Sequence, residues 1–162
     1  MLKRKKQELK DKKNLEKTDN TPEKINASLQ QSNLIKQIKN YAADLYYISE
    51  TDAEILPFVG EQAESVNNEV ILRQTKNDPD SPIEEKIFTE FFERLTKIQE
   101  WFGDEEKETA EKYLSLRTLL EENLSDLKVF KIGKTQLNIY VVGLSTENKL
   151  LGVKTKAIET GN

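Results

Sequence analysis

Residues 127–159 read LKVFKIGKTQLNIYVVGLSTENKLLGVKTKAIE, and this stretch decides the fold. It contains three runs that are rich in apolar and β-branched residues: 127–133, 135–144 and 149–159. Short turns separate these runs at Gly133–Lys134 and at Thr146–Asn148. Runs of this composition between turn residues are typical of strands that pair with their neighbours along the chain. The stretch therefore predicts a C-terminal antiparallel meander of three strands with alternating faces.

Helix and strand patterns alternate before the meander. Apolar residues at helical spacing predict a first helix over 30–44. LYYIS at 45–49 and EILPFV at 54–59 favour two strands, because aromatic and β-branched residues predominate in both. Pro57 lacks a backbone donor, which places the second strand at an edge of the sheet, and Gly60 is expected to end it.

Three more helices are predicted in the middle of the chain. Ser65 is expected to cap a short helix over 66–75. After the loop NDPDSP at 77–82 and a short extended segment, Thr89 should cap a helix that continues to Trp101. Gly103 breaks that helix, and Asp104 is expected to cap the longest one, 105–123. Helices that cover a sheet of about five strands imply a layered α/β domain.

The composition excludes most catalytic sites. The chain has no cysteine and no histidine, which removes thiol nucleophiles, disulfides, the usual general base and the commonest zinc ligands. IGKT at 132–135 matches only the end of a phosphate-binding loop, and a strand rather than a helix is expected to follow it. Pairs of carboxylates are too numerous to single out a general acid and base. We therefore expect a protein that is not an enzyme and that needs no cofactor.

No stretch of the sequence approaches the roughly 20 apolar residues of a membrane span. The basic N-terminus has no apolar run after it, so it does not have the pattern of a signal peptide. We expect a cytoplasmic protein without a membrane partner. Residues 1–30 are too polar to form a core and predict a basic, disordered tail, with the folded domain over 31–162. A tail that contacts nucleic acid is the alternative, although no aromatic residue there could stack on bases.

Negative charge is concentrated after the tail. The chain has a net charge of −4, and no basic residue occurs between Lys39 and Arg73, an interval that includes Glu50. Such a stretch repels nucleic acid and attracts basic protein surfaces, so direct binding of nucleic acid is not expected. A solvated acidic surface that keeps the protein soluble would give the same pattern.

The only tryptophan lies in EWFGDEE, residues 100–106. In one interpretation Trp101 and Phe102 pack against the start of the long helix, whose dipole favours the acidic residues that follow. In the other, Trp101 is an exposed anchor surrounded by carboxylates and contacts a partner, since aromatic anchors dominate interface energies. The two interpretations are compatible, because an indole has two faces.

From about Leu34 to Thr160 the chain resembles the nuclease A inhibitor family, which blocks sugar-non-specific DNA/RNA endonucleases. The resemblance rests on stretches in this order: YISE (47–50), DSPIEE (80–85), FF (91–92), WFGDEEKETAEKY (101–113), LLEENLSDLKVFKIGK (119–134), IYVVG (139–143) and LLGVKTKAIET (150–160). It implies an α/β/α sandwich with a mixed sheet. It also implies a monomer that binds a magnesium-dependent ββα-metal endonuclease in a 1:1 complex, with carboxylates in place of substrate phosphates.

The resemblance also implies four contact residues. Glu50 in YISE and the pair Glu159 and Thr160 at the end of the last strand match the segments that family members insert into the nuclease cleft. Glu50 and Thr160 would approach the metal of the partner, and the inhibitor itself would hold none. Trp101 matches the aromatic contact of the family.

Two features leave alternatives open. Gly161 and Asn162 follow Thr160 here, so Gly161 either turns the end of the chain back toward the cleft or the two residues obstruct a tight fit. The acidic composition is also consistent with a general interaction module or a DNA mimic for another basic partner. A carboxylate-dependent hydrolase is a further hypothesis, which no specific residue pattern supports.

Overall fold

The structure, a computed structural model, describes residues 22–160, apart from the side chains of residues 23–28. Residues 1–21 of the predicted tail therefore lie outside the described residues, and so do Gly161 and Asn162. The chain divides into two units after Ser32, and every strand of the described residues lies in the second unit. No helix among these residues is long and apolar enough to cross a membrane.

Four helices and seven strands make up the described part of the chain. The helices are α1 (Pro22–Ala42), α2 (Asn68–Arg73), α3 (Phe88–Thr96) and α4 (Asp104–Asn123). The strands are β1 (Tyr46–Ile48), β2 (Asp52–Glu54), β3 (Leu56–Gln62), β4 (Ile83–Ile87), β5 (Ser125–Ile132), β6 (Gln136–Leu144) and β7 (Lys149–Ile158).

The main sheet has five strands in the order β3-β7-β6-β5-β4, and β1 and β2 form a separate hairpin. The C-terminal meander is confirmed as β5, β6 and β7, and β3, which contains Pro57, lies at an edge as predicted. All four strand pairings of this sheet are antiparallel, so the prediction of a mixed sheet was wrong. Parallel neighbours need a long crossover connection, usually through a helix, whereas only short turns join β5 to β6 and β6 to β7.

Alternating residues of the meander bury both faces of the sheet. Along β6, Ile139 and Val141 belong to one buried cluster, and Tyr140 and Val142 belong to another. The first cluster includes apolar residues of α1, α3 and α4, and the second includes residues of α2. Each fully buried aliphatic or aromatic side chain contributes about 1.5–3 kcal/mol relative to exposure. Helices thus cover both faces, which confirms the α/β class and the α/β/α sandwich.

The predicted N-caps of α2 and α4 were wrong, because other residues occupy those positions. The side chain of Asn67 caps α2, since its Oδ1 accepts a hydrogen bond from Val70 N at 2.9 Å. Ser65 instead accepts a bond from the Asn67 amide at 2.8 Å and so orients that cap. The N-cap of α4 is Gly103, and Asp104 is its first helical residue.

The other differences concern α1, α3 and β3. Helix α1 begins at Pro22 rather than at residue 30. Helix α3 begins at Phe88, so Thr89 is not its cap, and it ends at Thr96 rather than Trp101. The Thr96 hydroxyl bonds back to Phe92 O at 2.8 Å, and the next residue is extended. Strand β3 continues through Gly60 to Gln62, with an irregular register after Val59.

We expect Gly152→Ala to destabilise the domain by about 1–3 kcal/mol, because overpacking forces the backbone to shift. Gly152 lies in β7 between β3 and β6, and an added Cβ would overlap the carbonyl of Val141. Thermal unfolding should show a midpoint lower by roughly 2–4 °C per kcal/mol. Lys156→Ala, at an exposed position of the same strand, is the control. An unchanged midpoint for Gly152→Ala would show that the strand relaxes freely.

Candidate functional site

Glu50 lies in the turn between β1 and β2, and that turn is attached to the end of β7. The backbone N–H of Glu50 donates to Ile158 O at 3.2 Å, and the N–H of Ile158 donates to Ser49 Oγ at 3.0 Å. Within the turn, Ser49 N–H donates to Thr51 O at 2.9 Å. These bonds place the turn beside the last residues of the meander, although the two segments are far apart in sequence.

The carboxylate of Glu50 is held by Thr160. It accepts a hydrogen bond from Thr160 N at 2.6 Å, and the Thr160 hydroxyl donates to its two oxygens at 2.8 Å each. Both hydrogen bonds lower the pKa of Glu50 from its ordinary value of 4.5. The bond from the backbone N–H of Thr160 has the larger effect, and the bond from its hydroxyl has the smaller one. Both residues are exposed, so the structure presents an ionised and oriented carboxylate to solvent.

We expect Thr160→Ala to raise the pKa of Glu50 toward 4.5 without reaching it, because the backbone donor remains. Carbon NMR of the Glu50 carboxyl against pH measures this change. The pKa of Glu50 is lower in the folded state than in the unfolded state. The hydrogen bonds to its carboxylate therefore stabilise the folded protein at pH values above the unfolded pKa, and this stabilisation is lost as pH falls through the folded pKa. Thr135→Ala, an exposed threonine that does not contact Glu50, should leave the titration unchanged. A wild-type pKa of 4.5 or higher would contradict the bonding described.

Glu159 is half-buried beside Glu50 and is paired with a lysine. Its backbone N–H donates to Thr135 O at 2.9 Å, which continues the pairing of the last two strands. Its carboxylate lies 3.3 Å from the ammonium of Lys131, whose side chain is only 12% exposed. The charge of Glu159 is therefore partly neutralised within the protein, in contrast to that of Glu50.

Trp101 lies in the connection between α3 and α4 and is 73% exposed. Its ring meets that of Phe102 edge to face, with centroids 4.6 Å apart. The indole also borders a cavity of about 460 Å³ whose other walls include Arg94, Glu105 and Tyr113. The indole is thus not packed into the core, and it has the exposure that the anchor interpretation requires. Its contact with a partner stays a prediction.

Arg94 and Lys131 connect the two ends of the site. Lys131, the partner of Glu159, lines a cavity of about 200 Å³ together with Arg94. Arg94 also lines the cavity beside Trp101, so the two cavities share its side chain. We call this surface the contact strip and define it by Thr160, Glu50, Glu159, Lys131, Arg94 and Trp101. The structure thereby brings Glu50, Glu159 and Thr160 together and links Trp101 to them through Arg94.

Several residues of this region were not predicted from the sequence. Tyr46 and Ile48 point to the same side of β1 and are 46% and 66% exposed, just before Glu50. Strict alternation around the buried Tyr47 could have indicated their exposure. No local pattern distinguishes Lys131 or Arg94 from other cationic residues, since their positions in the strip depend on contacts between distant segments.

The chemistry available on the contact strip is that of recognition. It offers an ionised carboxylate and an exposed indole, and β1, which precedes Glu50 in the chain, adds the exposed side chains of Tyr46 and Ile48. In residues 22–160, no group of three or more acidic side chains converges to hold a metal ion. A surface of this kind can place a carboxylate against a cationic site of another protein while aromatic and aliphatic side chains lose contact with water.

Comparison with known proteins identifies the family of the chain. The family model described as nuclease A inhibitor-like protein matches residues 32–160. A comparison with curated proteins found no significant match. The matched range contains every strand of the main sheet and the four predicted contact residues Glu50, Trp101, Glu159 and Thr160. The extent of the match, together with the α/β/α fold, establishes that the chain belongs to the family of nuclease A inhibitor-like proteins.

Proposed function

We propose that this protein inhibits a magnesium-dependent, non-specific endonuclease of the ββα-metal type by occupying its active-site cleft. The contact strip covers the cleft, with Glu50 and Thr160 directed toward the metal and Trp101 at the other end of the interface. The complex contains one copy of each protein and forms in the cytoplasm. Family membership supports the inhibitory role, and the geometry of Glu50 supports the mechanism.

The observation that carries this proposal is the exposed, ionised carboxylate of Glu50, held by two donors of Thr160. A nuclease cleft is built to bind phosphodiester groups, so it offers cationic side chains and a metal ion to an anion. A carboxylate that is already oriented loses less conformational freedom on binding than a free side chain does. Glu50 is therefore suited to take the place of a substrate phosphate.

The remainder of the contact strip supplies area and attraction. Trp101 of the contact strip and Ile48, a residue of β1 outside it, are exposed apolar side chains, and burying such anchors contributes much of the free energy of association in protein complexes. The stretch from residue 40 to residue 72 contains no basic residue and includes Glu50. Its negative field should accelerate the encounter with a cationic nuclease, mainly at low salt.

A titration of nuclease activity tests the proposal. Purified full-length protein is added to each of several non-specific ββα-metal endonucleases with excess magnesium, and cleavage of both DNA and RNA is followed. We expect activity to fall linearly to zero near one equivalent of inhibitor for the cognate enzyme. Association should slow as salt increases, because screening weakens the steering of opposite charges. Full activity of every enzyme at a large excess of inhibitor would overturn the proposal.

The same assay distinguishes the proposal from a general DNA mimic. A mimic of nucleic acid charge would also inhibit nucleases whose clefts are cationic but structurally unrelated. It would, for example, protect RNA from a metal-independent ribonuclease. An inhibitor built around Glu50 and Trp101 should protect only against enzymes whose cleft accepts both residues. Equal protection against unrelated basic enzymes would favour the general mimic.

A further inference from the structure

Arg94 is one of the two cations of the contact strip, and Lys131 is the other. It lines both cavities of the contact strip, between Lys131 on one side and Trp101 on the other. Its guanidinium donates to the hydroxyl of Tyr47 at 3.1 Å, which is a neutral partner. Any protein that covers Trp101 and Glu159 at the same time must also cover Arg94.

The neighbouring cations are already neutralised, whereas Arg94 is not. Lys131 pairs with Glu159 at 3.3 Å, and Lys86 pairs with Glu84 at 3.0 Å. Glu90 lines the same cavity as Arg94, yet among the side chains that the structure describes no ion pair of Arg94 is formed. In the free protein this costs nothing, because the side chain is exposed to water.

Covering the contact strip changes that situation. A guanidinium that loses water without gaining an anion destabilises a complex, and the cationic cleft of a nuclease would add repulsion. A guanidinium instead forms two parallel hydrogen bonds with a carboxylate, which is the most favourable geometry for neutralising it. Glu90, Glu105 and Glu106 of this chain line the same cavities, but none of them forms an ion pair with Arg94, so the nuclease is the source of negative charge that remains.

We infer that Arg94 binds a carboxylate on the rim of the nuclease cleft and so determines which nucleases the protein inhibits. This inference rests on the proposed function, since the carboxylate belongs to the inhibited enzyme. A nuclease with an aspartate or glutamate at the matching position is accepted. One with a neutral or basic residue there is rejected by an unpaired or repelled guanidinium.

Whether a charge-neutralising substitution of Arg94 strengthens or weakens inhibition tests this inference. Loss of a positive charge from an acidic inhibitor should speed its encounter with a basic enzyme if only long-range attraction matters. If Arg94 holds a carboxylate, Arg94→Gln should instead weaken inhibition by roughly 10- to 100-fold, mostly through faster dissociation. The matched control is Arg73→Gln, because exposed Arg73 ends α2 on the opposite face of the sheet. We expect this control to bind as tightly as the wild-type protein or slightly more tightly.

Two other variants distinguish the binding of a carboxylate by Arg94 from a purely structural role of this residue. Tyr47→Phe removes the hydroxyl that Arg94 contacts but keeps the positive charge, so inhibition should stay within about 3-fold of wild type. Arg94→Lys keeps the charge without the two parallel bonds and should fall between the wild-type protein and Arg94→Gln. Unfolding midpoints of all variants show whether the domain remains folded. Equal losses from Tyr47→Phe and Arg94→Gln would overturn the inference, because Arg94 would then act only by supporting β1.

The binding rates of these variants are measured with an enzyme that the wild-type protein inhibits. If Arg94→Gln binds the enzyme as tightly as Arg73→Gln does, the inference about Arg94 is wrong, and the proposed inhibition still stands. A wild-type protein that inhibits none of the enzymes overturns both. If Arg94 does bind a rim carboxylate, the affinity that Arg94→Glu loses should be partly restored when that carboxylate of the nuclease is changed to lysine. We expect a gain of at least roughly 10-fold, because the effects of two charges in contact are not additive. Failure of every rim substitution to restore binding also overturns the inference.

Discussion

Trp101→Ala is expected to weaken inhibition by roughly 30- to 1000-fold, which corresponds to about 2–4 kcal/mol of association free energy. The indole is 73% exposed in the free protein, so nearly all of its apolar surface remains to be buried by a partner. Its ring contacts that of Phe102 edge to face, with the ring centroids 4.6 Å apart. Tryptophan is enriched among the few residues that carry most of the binding energy in protein complexes.

The stability of the domain should hardly change in this variant. A side chain that is mostly in solvent contributes little to folding, so the free energy of unfolding should stay within about 0.5 kcal/mol of wild type. Leu114→Ala is the matched control, because Leu114 is a half-exposed apolar residue of α4 outside the contact strip. Inhibition titrations and thermal unfolding of both variants provide the measurement. A lowered midpoint for Trp101→Ala, or undiminished inhibition, would contradict the role of the indole as an anchor.

Glu50→Gln is expected to weaken inhibition by roughly 30- to 3000-fold, or about 2–5 kcal/mol, the range seen when one partner of a buried charge pair is removed. Glutamine has nearly the same shape but no charge. Its side-chain amide also has one oxygen and one NH2 group in place of the two carboxylate oxygens. An NH2 group cannot accept the hydrogen bonds that Thr160 donates to Glu50. The variant thus loses both the attraction to the cationic cleft and the orientation of the side chain.

Asp52→Asn separates the local effect of Glu50 from the general effect of charge. Asp52 is exposed in β2, two residues further along the same acidic interval, so its neutralisation changes the long-range field almost equally. We expect Asp52→Asn to slow association modestly at low salt and to have no effect near 1 M salt, where the screening length is about 3 Å. The loss caused by Glu50→Gln should persist at high salt. Identical salt dependence of the two variants would show that Glu50 acts only through the net charge.

Local patterns of the sequence were sufficient for most of the secondary structure. The three runs of 127–159 formed the meander, and Pro57 marked an edge strand. Apart from the mixed sheet and the end of β3, the errors occurred at helix ends, where Asn67 rather than Ser65 supplied a side-chain cap and Thr96 ended α3 early. These ends depend on which of several nearby polar side chains reaches a free backbone group, and sequence spacing allows more than one answer.

The sequence by itself determined the family, the α/β class and four residues to examine: Glu50, Trp101, Glu159 and Thr160. Apolar periodicity and turn residues are local properties, so they can be read along the chain. Only the tertiary structure decided how the site is assembled. Glu50 and Thr160 are 110 residues apart and meet because the β1–β2 turn bonds to the end of β7. Arg94 joins Trp101 to Lys131 for the same physical reason: contacts between distant segments follow from how helices and sheet pack together.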